Sequence, residues 1–129
     1  MVSFFKLIFY TSLVLLIIIS LYPGSLIGYF LYGDLSRQPE LVHNPFGNTI
    51  NHFICYIYIS LIGFFIYQQT KYFYKIFYIL IFLSIILELA HLIIPKRSFQ
   101  IEDLLANILG VIAAYCVIKI YLMFSRKYE

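Results

Sequence analysis

The chain has 129 residues, of which 63% are hydrophobic and only 12% charged, with a net charge of +3. That balance leaves too little polar material to cover a water-facing domain and makes a bilayer the solvent. A spanning helix uses roughly 20 apolar residues, so residues 1–129 hold about four spans in one transmembrane domain, with no room for a separate soluble domain. The few basic residues are scattered between apolar runs, which excludes a nucleic-acid footprint.

The first span is expected over residues 4–22; its apolar run is interrupted only by Thr11, Ser12 and Ser20 and broken by Pro23-Gly24. Lys6 ahead of that run resembles the start of a signal peptide, but no clear small-x-small cleavage site follows, so the segment reads as a retained span. A short apolar stretch at 26–32 either continues the first helix past a kink or lies along the interface. Residues 23–50 form the main exposed loop, which carries Pro39, Pro45, Asp34, Arg37, Glu40 and His43.

Further spans are expected at 51–67, 73–94 and 104–124. The tight link at 68–72 makes spans two and three antiparallel neighbours, and 95–103 joins three to four. The predicted fold is therefore an all-α polytopic bundle. Cys55 and Cys116 lie inside apolar runs without metal or redox spacing and read as small buried hydrophobes away from the polar residues. Lys6, Lys71, Lys75, Lys119, Arg126 and Lys127 fall on one side of such a bundle, and Arg37, Lys96 and Arg97 on the other. The positive-inside bias then puts both termini in the cytoplasm and the His43 loop outside. Lys75 and Lys119 read as anchors that snorkel to the headgroups.

With the spans oriented, the remaining ionisable residues gather toward the outer leaflet. His52 begins span two, Glu88 and His91 lie near the end of span three, and Asp103 opens span four. Glu88 and His91 share one helix face, as do Asp103 and Asn107. Polar groups at this depth need partners, so they are expected to converge inside the bundle. Arg97 is the expected counter-charge for Glu88. Asp103 or Ser98 is placed to cap the fourth helix. Ala106, Asn107, Gly110, Ala113 and Ala114 give that helix a small-residue face for close packing. A single Glu-x-x-His is half of a di-metal bundle motif, and His52, Glu88, His91 and Asp103 make an alternative metal set. The main reading has no metal and no cofactor.

These polar residues resemble the VanZ-like membrane proteins over about residues 48–115. The resemblance is carried by His52-Phe53, Glu88 with His91, Pro95-Lys96-Arg97-Ser98-Phe99, and Asp103-Leu104-Leu105-Ala106-Asn107 followed by Gly110. Asn48-Thr49 stands where the family commonly has Asp-Lys, and His91 where it commonly has Gln. The resemblance implies a small multi-pass protein of the bacterial cytoplasmic membrane, with a family link to glycopeptide resistance.

Two functions follow as expectations. One is a non-catalytic accessory or envelope-associated factor, whose polar cluster holds the helices together and whose apolar surface meets lipid and other membrane proteins. The other is an enzyme or binder acting on a lipid-linked or cell-wall-related molecule at the outer leaflet. Its catalytic candidates are His52, Glu88, His91, Arg97 and Asp103, and Arg97 and Asn107 would bind the ligand.

Overall fold

A computed structural model describes residues 2–37 and 49–125. Five helices account for its regular structure: α1 (Val2–Leu21), α2 (Leu26–Tyr32), α3 (Thr49–Tyr67), α4 (Phe73–Ala90) and α5 (Ile101–Ser125). All except α2 are long and apolar enough to cross a membrane, which gives an all-α fold with four candidate spans. His43, Pro39, Glu40, Pro45, Asn48, Arg126 and Lys127 lie outside the described residues.

The helix ends follow local chemistry. After α1, Gly24 takes a left-handed φ of 89° and the Ser25 N–H donates to the Leu35 carbonyl at 2.7 Å. Ser25 Oγ then caps α2 by accepting from the Gly28 N–H at 2.9 Å, and Gly33 ends it at a φ of 70°. Residues 26–32 are thus a helix in their own right, separated from α1 by a capped turn. Between α3 and α4, Thr70 Oγ1 donates to the Tyr67 carbonyl and accepts from the Tyr72 N–H, which closes the short link.

Two span boundaries differ from expectation by more than the one or two residues by which helix ends commonly vary. Helix α4 stops at Ala90 rather than near 94, because His91, Leu92 and Ile93 each donate three residues back in a tightened turn. Pro95 disfavours helix at Ile94, and Lys96, at a φ of 60°, then reverses the chain. Helix α5 begins at Ile101, earlier than 104; the Gln100 carbonyl accepts from the Leu104 N–H, and Glu102 and Asp103 sit in the first turn at the positive end of the dipole.

The core runs between α3 and α5, the most extensively packed pair, with α4 closing one side. Gly110 makes the close approach possible: a Cβ there would stand 2.8 Å from the Phe53 carbonyl oxygen and 3.0 Å from the Ile57 nitrogen. Tyr56 and Ile59 of α3 meet Val111, Ala114 and Ile118 of α5, with Leu80 and Leu87 of α4. Helix α1 contributes only Phe9 and Leu16 to the buried set; Leu7, Val14, Leu15 and Ile18 face outward, as lipid-facing residues do. At one end of the bundle lie aromatic-held lysines: Lys6 over Tyr67, and Lys119 against Tyr74, Phe73 and Tyr115. The polar cluster occupies the other end.

Candidate polar site

Helices α3, α4 and α5 each deliver polar side chains to the same end. Near the start of α3, Thr49 and His52 stand one turn apart on one face. The first two turns of α5 present Asp103 and Asn107 toward them. The end of α4 supplies Glu88 and His91, and the turn after it supplies Arg97.

A continuous path of hydrogen bonds and one carboxylate–histidine contact joins these groups. Thr49 Oγ1 donates to Asp103 Oδ1 at 2.8 Å, while the other carboxylate oxygen, Oδ2, lies 3.4 Å from His52 Nε2. His52 Nδ1 meets Asn107 Oδ1 at 3.1 Å, and Asn107 Nδ2 donates to Glu88 Oε2 at 3.4 Å. Glu88 Oε1 accepts from the Gln100 N–H and meets His91 Nδ1, both at 3.3 Å. His91 Nε2 ends the path on the Ser20 carbonyl oxygen of α1 at 3.2 Å. Glu88 is 1% exposed and Asn107 2%, so in this low-dielectric place each missing partner would be expensive. Each imidazole faces two acceptors: a singly protonated ring donates to one of them and a doubly protonated ring to both.

Three expectations need correction. Arg97 forms no ion pair with Glu88 among the described residues. Its Nη2 donates to the Ile19 carbonyl at 2.6 Å and its Nε to the Tyr22 carbonyl at 3.3 Å. The cause is the Lys96 reversal, which aims the guanidinium at the last carbonyls of α1, the acceptors that a helix end leaves unpaired. Burial lowers the Arg97 pKa, while the negative charge of Glu88 acts to raise it, so the two residues share a field without touching. Asp103 does not cap α5 with its side chain, because both oxygens reach across to α3. The set His52, Glu88, His91 and Asp103 does not converge as metal ligands; it splits into two carboxylate–histidine pairs with Asn107 between them, and no metal-holding group of three such side chains occurs among the described residues.

Beside the path lies a cavity of about 190 Å³ bordered by Arg97, His52, His91, Glu88 and Asn107, with apolar walls that include Leu16, Ile27 and Leu87. Cys55 also borders it, although its apolar surroundings in the sequence gave no sign of this; Cys116 is exposed on the outside of α5. Sequence reasoning also missed Thr49, whose signal was its spacing from His52, and Tyr56, one aromatic among 13 tyrosines. Tyr56 borders the cavity, and its buried hydroxyl has no hydrogen-bond partner among the described residues.

The helices and this end-on cluster define a polytopic α-helical membrane protein with a polar, cavity-forming site set between its spans. The chain belongs to the VanZ/LLP1 family, whose description matches residues 3–123 and so takes in α1 and α2 as well as the polar motifs. Neither the curated proteins nor the solved structures yield a match.

Proposed function

We propose that the protein is a non-catalytic factor of the bacterial cell envelope. It resides in the cytoplasmic membrane with both termini in the cytoplasm and the polar end of its bundle in the outer leaflet. The observation that carries this reading is the path from Thr49 to Ser20, in which every carboxylate oxygen is engaged by a neighbouring helix or loop. Acid and base groups so engaged fasten α1, α3, α4 and α5 together. The lysines Lys6, Lys71, Lys75 and Lys119 fall at the opposite end, which supports a cytoplasmic location for that end. The lipid-facing side of α1 supplies a surface for the bilayer and for other membrane proteins.

Glu88→Gln tests this reading. The amide keeps the shape and one acceptor oxygen while removing the charge, and a flip of the Asn107 amide lets it accept from the new NH2, so an accessory role predicts a folded protein with wild-type glycopeptide tolerance in cells. The second reading, an enzyme or binder acting on a lipid-linked molecule, draws its support from the cavity beside Glu88. It predicts a folded Glu88→Gln protein that has lost the phenotype.

A further inference from the structure

The cavity has features that fastening the helices does not explain. At about 190 Å³ it is smaller than the roughly 300–1,000 Å³ that encloses a whole drug-sized molecule, so it suits a headgroup. Its lining combines polar groups, Arg97, His52, His91, Asn107 and the already engaged Glu88 carboxylate, with apolar ones that include Leu16, Ile27 and Leu87. The apolar lining belongs in part to α1 and α2, whose Leu15, Ile18, Tyr29 and Phe30 are exposed, Phe30 by 81%. An apolar chain leaving the cavity along these helices would meet hydrocarbon-compatible side chains.

Two groups at the cavity have hydrogen-bonding capacity to spare. Arg97 uses two of its N–H donors on the Ile19 and Tyr22 carbonyls, and a guanidinium has five. Among the described residues neither Asp103 nor Glu88 forms an ion pair with Arg97, so the guanidinium has no carboxylate in direct contact. Tyr56 is 2% exposed, and an unpaired hydroxyl within a span is costly unless something accepts from it. A planar fork and an unpaired hydroxyl, on two residues that border one cavity, match a tetrahedral anion with several acceptor oxygens.

We propose that this cavity binds the phosphate headgroup of an anionic membrane amphiphile, gripped by the Arg97 guanidinium and the Tyr56 hydroxyl, with its apolar chain lying outside along α1 and α2. The inference goes beyond the fastening role and is independent of which leaflet the site occupies.

The test is thermal unfolding of the purified full-length protein in dodecyl maltoside. It is titrated in turn with dioctanoyl phosphatidic acid, dioctanoyl phosphatidylcholine and inorganic phosphate. Phosphatidic acid is expected to raise the melting temperature saturably and the other two to leave it in place. Arg97→Gln should weaken the phosphatidic acid effect by about tenfold or more, the loss expected for a charge-assisted hydrogen bond. Because Arg97→Gln also loosens the end of α1, Tyr56→Phe provides a second reading: unliganded stability equal to or above wild type, with a weakened phosphatidic acid response. An equal rise with phosphatidylcholine marks a bulk-lipid effect and overturns the proposal. An equal rise with inorganic phosphate marks a soluble-anion site and overturns the amphiphile. A full phosphatidic acid response in Tyr56→Phe overturns the assigned grip. Detergent has no leaflets, so a failed topology leaves this test standing, and failure here leaves the fastening role intact.

Discussion

At the residue scale, the consequence of Arg97 touching backbone rather than Glu88 is measurable. Were it the counter-charge of a buried carboxylate, Arg97→Ala would cost roughly 3–5 kcal/mol. Loss of charge-assisted bonds to the Ile19 carbonyl of α1 and the Tyr22 carbonyl just past its end instead predicts about 1–3 kcal/mol. A double-mutant cycle with Glu88→Gln decides the matter: the two effects should add to within about 0.5 kcal/mol, whereas coupling well above 1 kcal/mol would restore the direct bridge. His52, Glu88, His91, Asp103 and Asn107 were legible in the sequence because polar side chains inside apolar runs must find one another. The true partners of Arg97 were not legible, since carbonyl oxygens at a helix end have no letter of their own, and the reversal at Lys96 that aims the side chain is a backbone event. Tyr56 was hidden for another reason: a tyrosine in a membrane helix looks like any large apolar residue until its hydroxyl is seen to lack a partner.

At the element scale, the α3–α5 seam sets the geometry of the site. Gly110 lies two turns below Asp103 on the same face of α5, and the space for its Cβ is already taken by the backbone of α3 at Phe53 and Ile57. Membrane helices gain no hydrophobic drive from burying apolar surface against each other, so this close fit is a main source of their association. Gly110→Leu should therefore force the helices apart and destabilise the protein by about 1–3 kcal/mol. Melting in detergent measures this, with Gly110→Ala intermediate; wild-type melting for the leucine variant would show that the seam is not a close contact. The small-residue face was readable from Ala106, Gly110 and Ala114. The early end of α4 was not, because the apolar run continues through Ile94 and only the tightened turn after Ala90 reveals the stop.

At the scale of the whole molecule, orientation is the property on which the envelope role depends. In a background with Cys55 and Cys116 replaced by alanine, a cysteine at Asp34 should react with an impermeant maleimide added to intact cells, and one at Thr70 should be spared. The opposite pattern would invert the bundle and place the cavity in the inner leaflet. The number of spans was plain from hydropathy, since four runs of about 20 apolar residues have few alternatives in a chain of this length. The sequence could not convey how unequally those spans are held, with α3 and α5 locked and α1 lying outside with two residues in the core.

That inequality has a consequence in time. The end of α1 is secured by His91 and Arg97, which follow its Ser20 and Ile19 by 71 and 78 positions in the chain. At a synthesis rate of about 5–20 residues per second, α1 spends roughly 4–16 s in the membrane before its clasp has been made. During that interval it is an apolar helix with its final carbonyls open, free to meet whatever membrane-insertion machinery or neighbouring helix is present. Nascent chains stalled with residue 90 just outside the ribosome should crosslink from α1 to foreign membrane proteins. Chains released past Arg97 should crosslink from α1 to α3 and α4 instead. If both chains give the same products, the delay leaves no trace; if they differ, the first helix made joins the fold only after the turn that follows α4 has emerged.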